Sequence, residues 1–486
     1  MFFLINRFSK ILLLIIGLGL LTIDTGEAQT IEPRVGEGDK TTYQLSSELY
    51  TATDGSLPFW FYSNVHGKVD PASTNWLNEI SVNHHLLETD ALAVDIGGTG
   101  VFRLSENNAV LLPKAYLTAN AYGLQLDIGR FSQPIGLNNH HLSSGSMMVS
   151  NNAMPVPKVS VSTPDFMGVP FTDGHVEYKG MFSHGWFEED RHVESPYLHQ
   201  KYFYLKLNLG SWSGIGGIVH NAQWGGTDPD RGKLPQSFGD YIRLITGQGA
   251  DESSNAPGGE VSNVIGNSVA AYDFGLQYKQ ENFSLMLTRM FYLEDKVSTR
   301  FRSPWDGVWG ANLIFENKNR ALNAITYEHI NTKNQDAKDW ELIGRRDYYD
   351  NFVYGSGWTY ENRTLGTPLI LFNGNTITNN VIVGHHLAFK GRFLRNLGYK
   401  AFITYSRNYG VQNDWVDNPR SSIPKDDPGI TPRENFREDQ YSGLFALRYG
   451  APGNKSLTYN FKISVNSGGL YKGVGFMFVI QWSGGF

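Results

Sequence analysis

The C-terminal segment is the feature of this sequence that most restricts the possible folds. Residues 471–486 read YKGVGFMFVIQWSGGF. Because the side chains of a strand alternate between its two faces, one face of this segment carries a stripe of large apolar residues: Phe476, Phe478, Ile480, Trp482 and Phe486. The other face is smaller and more polar, with Met477, Val479, Gln481 and Ser483. A one-sided aromatic and aliphatic stripe is typical of a barrel strand that faces lipid, so the segment predicts a membrane-spanning strand rather than the last strand of a soluble sandwich.

The N-terminus has the pattern of an export signal. Arg7 and Lys10 form a basic region before the apolar run 11–23, and the small residues Gly26 and Ala28 have the spacing of a cleavage site. The apolar run is shorter than the roughly 20 residues that a transmembrane helix needs. We therefore expect residues 1–28 to be a cleavable signal peptide that directs the chain to the envelope of a Gram-negative bacterium.

The composition removes several classes of function. The chain has no cysteine, which excludes disulfides, cysteine-ligated metals and thiol chemistry. Its net charge of -6 over 486 residues argues against general nucleic-acid binding. The mean hydropathy of -0.32 is compatible with membrane strands, because alternation hides their apolar face from an average over the sequence.

Period-two patterns occur along most of the chain and predict an all-β transmembrane antiparallel barrel. They are clearest in five segments: 203–209, 272–278, 283–288, 399–405 and 457–466. Lys206, Lys400 and Lys462 fall on the face opposite the apolar residues, as expected when a lysine facing mid-bilayer lipid costs about 2–4 kcal/mol. Strands of about 10 residues with their connections use roughly 25 residues each, so the length predicts about 18 strands.

The segments between strands predict the domain organisation. The long polar segments 225–263, 331–379 and 408–439 are expected to be extracellular loops. Segment 136–174, with four prolines among hydroxyl side chains, is expected to fold within or over the lumen, because irregular backbone at membrane depth needs protein or water around it. Residues 29–56 are predicted to be a polar periplasmic arm, with at most a short helix near 43–50. Residues 57–486 are predicted to form the barrel.

Three stretches of the sequence resemble a known family. They are residues 129–180, 345–372 and 440–486, and the resemblance extends over most of the chain beyond the signal peptide. The chain resembles the Wzi family of outer-membrane capsule assembly proteins, in the form found in Bacteroidetes. That resemblance implies an eighteen-stranded barrel with a lectin-like role, in which it holds exported capsular polysaccharide at the cell surface. The terminal phenylalanine strand also resembles the signal by which the barrel-insertion machinery recognises such proteins.

The predicted polysaccharide site combines aromatic faces for sugar rings with arginines for acidic groups. The best cluster in the sequence is Arg345, Arg346, Tyr348, Tyr349, Trp358, Tyr360 and Arg363. Two weaker clusters are Trp224, Arg231, Lys233, Tyr241 and Arg243, and then Trp415, Arg420, Arg433 and Arg437. An aromatic girdle and solvated loop charges would explain the same residues without a ligand.

Other chemistries have little support in the sequence. The pairs His84–His85, His140–His141 and His385–His386 place neighbouring side chains on opposite faces of a strand, so no metal site is predicted. The acidic run Glu188, Glu189 and Asp190 reads as a solvated turn rather than a glycosidase pair, and the sequence shows neither a phosphate-binding loop nor a GxSxG elbow. We therefore predict a non-enzymatic polysaccharide-binding barrel without a cofactor, in contact with outer-membrane lipid. The alternatives are a porin or saccharide channel and, less well supported, a membrane-embedded lipid or glycan hydrolase.

Overall fold

The structure is a computed structural model that describes residues 39–251, 256–257, 260–261, 264–294, 298–301, 303–335, 348–411, 437–454 and 456–486. The predicted signal peptide lies outside the described residues. The strands are β1 (Thr41–Ser56), β2 (Ala72–Glu88), β3 (Ala93–Leu104), β4 (Ala109–Ala121), β5 (Leu124–Arg130), β6 (Lys158–Ser162), β7 (Met167–Gly168), β8 (Val176–Trp186), β9 (Tyr197–Leu209), β10 (Trp212–Trp224), β11 (Thr227–Asp228), β12 (Gly232–Lys233), β13 (Asn267–Lys279), β14 (Phe283–Leu293), β15 (Gly307–Phe315), β16 (Ala324–Asn331), β17 (Thr359–Tyr360), β18 (Arg363–Thr364), β19 (Leu371–Phe372), β20 (Ile377–Asn379), β21 (Ile382–Leu394), β22 (Leu397–Asn408), β23 (Glu438–Gly450), β24 (Leu457–Gly468) and β25 (Gly473–Gly485).

Helices make a small contribution to the described part of the chain. They are Phe59–Tyr62, Phe238–Ile245 and the short 3-10 helix Ser298–Arg300. None of the described helices has the length and apolar character needed to cross a membrane.

The long strands form one closed antiparallel ring. The main sheet has 19 strands, of which β7 is an extra two-residue strand paired with β8, so 18 strands make up the ring. The ring closes because β1 pairs with β25, from Thr42 opposite Gly485 to Ala52 opposite Gly475. The predicted all-β barrel and its strand number are confirmed.

The structure corrects the predicted periplasmic arm. Residues 41–56 of that arm form β1, which pairs with β2 on one side and β25 on the other. The alternation in β1 is weak because its outward face has only a few large apolar residues, among them Leu45 and Leu49, separated by serine and threonine. Residues 29–38 lie outside the described residues.

The C-terminal strand presents the two faces that its sequence predicts. On β25 the side chains of Phe476, Phe478, Ile480 and Trp482 are 40–53% exposed on the outside of the barrel. Met477 and Val479 point inward and are 3% and 4% exposed. The outer stripe therefore meets lipid, and the smaller alternate residues meet the filled lumen.

The two ends of the barrel differ in their connections. One end has the chain ends of β1 and β25 and short turns such as 122–123 and 210–211. The other end, which we call the mouth, has the long connections 57–71, 131–157, 187–196, 225–266, 332–381 and 409–437. Short periplasmic turns and long outer loops are the usual arrangement in bacterial barrels, so the mouth faces out of the cell. The three predicted extracellular loops leave the barrel at the mouth, although residues 412–436 lie outside the described residues.

Residues 131–157, between β5 and β6, fold into the lumen as a plug. Leu142, Met147 and Met148 of the plug are fully buried. The carbonyl oxygen of Leu142 is 2.9 Å from Nε2 of His386 on β21. In the ring of 18 strands β21 lies nine positions from β5, so the plug crosses the whole diameter of the barrel.

Polar inward residues of the wall hold the plug in place. The backbone amide and hydroxyl of Ser144 donate to Glu328 of β16, at 2.8 Å and 2.6 Å. The amide of Leu137 donates to Asp273 of β13 at 2.9 Å. The predicted lumen segment is thus confirmed for 136–157. The prediction was wrong for the rest, because residues 158–162 form barrel strand β6 and residues 163–174 belong to the connection from β6 to β8 at the periplasmic end.

The plug predicts that the purified barrel does not conduct. Reconstituted into a planar bilayer, the protein should give no large stable open currents, because the plug spans the lumen and is bonded to at least three wall strands. Deletion of residues 137–148 should produce such currents. Large steady currents from the intact protein would contradict a sealed lumen and favour a channel.

Candidate functional site

The best predicted binding cluster is mostly buried. Tyr348, Tyr349 and Trp358 are 0% exposed, and Tyr360 is 3% exposed. Arg345 and Arg346 lie outside the described residues. The four buried rings offer no free face to a sugar. The structure therefore corrects the prediction that these rings form a surface platform for sugars.

The buried rings instead fasten the loop 348–372 onto the plug. The indole N–H of Trp358 donates to the carbonyl oxygen of Met148 at 2.8 Å. The hydroxyl of Tyr349 donates to the carbonyl oxygen of Met147 at 2.5 Å, and burial holds the pKa of that hydroxyl well above its ordinary value. The hydroxyl of Tyr348 donates to Asp306 at 3.0 Å. The bonds of Trp358 and Tyr349 join the longest mouth loop to the plug beneath it, and the bond of Tyr348 joins it to the connection before β15.

Among the described residues of the predicted cluster, Arg363 lines an open cleft. The cleft has a volume of about 190 Å³ and lies at the mouth. It lies between the helix Phe59–Tyr62, the turn between β24 and β25, and the loop segment 362–372. Its lining residues are Phe59, Tyr62, Ser63, Pro71, Asn152, Asn362, Arg363, Thr364, Pro368, Ile370, Leu371, Phe372 and Tyr471.

Local backbone geometry explains how Arg363 arrives there. Glu361 and Asn362 connect β17 to β18 with φ values of 44° and 61°. A two-residue hairpin turn with positive φ at both positions matches the twist of the flanking strands. The turn therefore projects Asn362 and Arg363 into the cleft.

Aromatic residues form the opposite side of the cleft. The ring of Phe59 is stacked on that of Tyr471, with centroids 6.2 Å apart and planes at 24°. The guanidinium carbon of Arg363 lies 5.1 Å from the centre of the Tyr62 ring. Burial raises the pKa of the Tyr62 hydroxyl, which also interacts with Tyr471.

Arg363 differs from neighbouring arginines in having no carboxylate partner within the described residues. Arg130 pairs with Glu361 at 3.1 Å, and Arg191 pairs with Glu188 at 3.3 Å. The guanidinium of Arg363 donates to the carbonyl oxygen of Val69 at 3.2 Å. Burial lowers the pKa of Arg363, but arginine remains protonated in proteins, so the cleft contains a positive charge that no described carboxylate pairs with directly, although the Asp70 carboxylate attracts it from a longer distance.

The two weaker clusters do not form comparable clefts. Tyr241 stacks on the buried Trp224, while Arg231 pairs with Asp228 at 3.2 Å and Arg243 with Asp251 at 2.9 Å. Lys233 is exposed. In the third cluster Arg437 pairs with Asp439 at 2.9 Å, whereas Trp415, Arg420 and Arg433 lie outside the described residues.

The pair His385–His386 is used for packing, whereas His85 of the first pair contacts the carboxylate of Asp95. His386 is buried between Thr404 and the plug, and His385 on the opposite face stacks on His329 at 4.6 Å. Burial raises the pKa of Glu188, the first residue of the acidic run, and the charge of Arg191 opposes that shift. In the described ranges, no group of three or more His, Cys, Asp or Glu residues is placed to hold a metal ion.

A comparison with protein families decides the family of the chain. The model of the capsule assembly protein Wzi matches residues 28–373. This chain belongs to the Wzi family. The match extends from the predicted end of the signal peptide through β1, the plug and the cleft loop, and ends before β21–β25, which complete the ring of this Wzi family member.

The solved structure of Wzi from Escherichia coli supports the fold of this Wzi family member. Wzi of Escherichia coli, an outer-membrane protein involved in group 1 capsule assembly and a carbohydrate-binding β-barrel, superimposes with a TM-score of 0.57 at 13% identity, covering 91% of this chain and 84% of that one. OccK5 of Pseudomonas aeruginosa gives a TM-score of 0.45 at 9% identity, covering 92% and 98%. OccAB4 of Acinetobacter baumannii gives 0.45 at 10% identity, covering 94% and 100%. No curated protein matches the chain. The protein is a barrel of the Gram-negative outer membrane.

Substitution of Trp358 tests whether this residue anchors the loop 348–372 on the plug. The substitution Trp358→Ala should destabilise the packing of the loop on the plug by about 3–5 kcal/mol, because it removes a buried ring and the hydrogen bond to Met148. Hydrogen exchange should then speed up in residues 348–372 and near Met148 while the barrel strands stay protected. The matched control is Phe352→Ala in the same loop, where the ring is 85% exposed and should be dispensable. Equal exchange in the two variants would contradict the anchoring role.

Proposed function

We propose that the protein binds an acidic capsular or surface polysaccharide at the mouth and so supports capsule assembly. The observation that carries this proposal is the guanidinium of Arg363, which forms no salt bridge with a described carboxylate and lines a cleft with aromatic walls. The family supports the proposal, since its member from Escherichia coli is a carbohydrate-binding barrel involved in capsule assembly.

The chemistry of the cleft suits one part of an acidic sugar chain. A guanidinium binds carboxylate or phosphate oxygens with two parallel hydrogen bonds. The rings of Tyr62, Phe372 and Tyr471 supply flat apolar surface for the C–H face of a sugar, and the exposed amide of Asn362 can bond its hydroxyls. A single small cleft binds weakly, so retention of a long polymer depends on contacts with many copies of the protein.

We propose that this binding involves no covalent chemistry. Glycoside hydrolysis uses two carboxyl groups on either side of the scissile bond. The described residues that line the cleft include neither aspartate nor glutamate. Two carboxylates at the β17–β18 hairpin, Glu361 and Glu188, are paired with Arg130 and Arg191.

The remaining partners follow from the barrel itself. The outward stripe of β25 is proposed to contact outer-membrane lipid. The terminal Phe486, whose backbone exchanges two hydrogen bonds with Thr41 at 2.9 Å and 3.0 Å, is proposed to be read by the barrel-insertion machinery before that pairing forms.

The variant Arg363→Gln tests the proposed site. A charge-assisted hydrogen bond contributes about 2 kcal/mol, so the dissociation constant for the acidic polysaccharide should rise roughly 30-fold. The assay is binding of labelled capsular polysaccharide to purified protein in detergent or nanodiscs. The matched control is Arg320→Gln, which removes the same charge from an exposed residue at the periplasmic end. Equal binding by the two variants would move the site elsewhere.

A second measurement tests the role in the cell. Cells that produce Arg363→Gln should retain less capsule and shed more polymer than cells that produce Arg320→Gln at the same barrel level. Unchanged cell-associated capsule, with unchanged polysaccharide binding in vitro, would contradict the proposed function.

A further inference from the structure

The helix Phe238–Ile245 in the loop between β10 and β13 lies outside the barrel rather than over its mouth. The helix begins at a capping box in which the Ser237 hydroxyl accepts from the amide of Asp240 and the Asp240 carboxylate accepts from the amide of Ser237. Its Tyr241 ring stacks on Trp224 at 5.1 Å, with planes at 20°, and lies 5.6 Å from the ring of His199. Leu244 is fully buried in the same contact.

The wall residues beneath the helix belong to the outer face of the barrel. On β9 His199 and Lys201 alternate with inward residues and share a face with Phe203 and Leu205, which are 48% and 44% exposed. On β10 Trp224 shares a face with Ile218, which is 51% exposed. The helix therefore covers the part of the outer wall nearest the mouth and borders the lipid-facing belt below it.

A lysine of the wall fixes the C-terminal end of the helix. The ammonium group of Lys201 donates to the carbonyl oxygen of Ile245, one of the helix carbonyls without a partner inside the helix. Together with the capping box at the other end, this bond holds the helix against the wall.

The side of the helix that points away from the barrel is apolar. Phe238 is 78% exposed and Ile242, one turn later, is 45% exposed. Residues four apart lie on the same side of a helix, so the two side chains form one apolar stripe. The stripe continues the lipid-facing surface of Phe203 and Ile218, and the outward ring of Trp186, 46% exposed, lies on the neighbouring strand β8.

We propose that this helix rests in the outer leaflet at the boundary between head groups and acyl chains, with Phe238 and Ile242 in contact with lipid. A helix that has one apolar face and lies parallel to the membrane binds through its buried apolar area. The apolar stripe of the helix is continuous with the lipid-facing belt of the barrel. We therefore infer that the stripe contacts lipid rather than a second copy of the chain or another protein.

The proposed anchor has a consequence for the mouth. The loop that contains this helix also contacts the loop 348–372, since the carbonyl oxygen of Gly225 accepts from the hydroxyl of Tyr354 at 3.2 Å. Immersion of the helix in the leaflet thus ties the loop 348–372, which lies on the plug, to the membrane surface.

Single cysteines test this inference cleanly because the chain has none of its own. A nitroxide spin label is attached to Phe238→Cys or Ile242→Cys in protein reconstituted into phospholipid vesicles. Its collision rates with oxygen, which concentrates in the bilayer, and with a water-soluble nickel chelate are then compared. Leu205→Cys is the lipid-facing control, and Phe352→Cys, on an exposed ring of a mouth loop, is the aqueous control.

The two labels on the helix should resemble the label at 205, with oxygen collisions several-fold above those at 352 and nickel collisions several-fold below. All four positions are exposed, so the substitutions leave the core intact, and heat-modifiable gel mobility confirms folded barrels. Nickel collisions at 238 and 242 equal to those at 352 would overturn the inference. Protection of these labels from both reagents would also overturn it, because it would mean that protein covers the stripe.

Discussion

The structure depends on the pairing of its first strand with its last. In hydrocarbon an unpaired backbone N–H or C=O costs several kilocalories per mole, so a sheet that crosses a membrane has to close. Pairing of β1 with β25 from Thr42 to Ala52 removes both free edges of the sheet at once. Closure in turn gives every other strand a lipid side and a lumen side, and so determines which residues are available to the plug and the cleft.

A ring of 18 strands leaves a wide lumen, and the plug fills it and is held there by hydrogen bonds from polar groups of the wall. Glu328, Asp273 and His386 point inward, and each bonds to backbone or hydroxyl groups of residues 131–157. The plug then supplies the carbonyl groups of Met147 and Met148 on which the loop 348–372 is fixed. The cleft at the mouth depends on the packing of the loop 348–372 on the plug, because this anchored loop holds Arg363 at the edge of the cleft.

Much of the fold could be predicted from the sequence, because period-two alternation directly reports a lipid face and a lumen face. This alternation predicts the outward apolar stripe of β25 and the position of Lys206, Lys400 and Lys462 on the lumen side. The sequence does not predict β1, since serine and threonine weaken its alternation and one of its two partner strands, β25, is more than 400 residues away. The site was harder still. Trp358 looks like a sugar platform in the sequence, but its contact with Met148, 210 residues away, buries it, and the cleft joins Tyr62, Arg363 and Tyr471 from three distant segments.

Cross-linking of the closing strands tests the closed cylinder most directly. Gln44 and Ser483 lie opposite each other on the lumen side of β1 and β25, near the periplasmic end. In the cysteine-free chain the pair Gln44→Cys and Ser483→Cys should be joined efficiently by a short bifunctional thiol reagent in outer membranes. The pair Gln44→Cys and Val479→Cys, four residues out of register, should be joined poorly. Equal cross-linking of the two pairs, or none in either, would contradict closure by the N-terminal strand and with it the lumen, plug and mouth that follow from it.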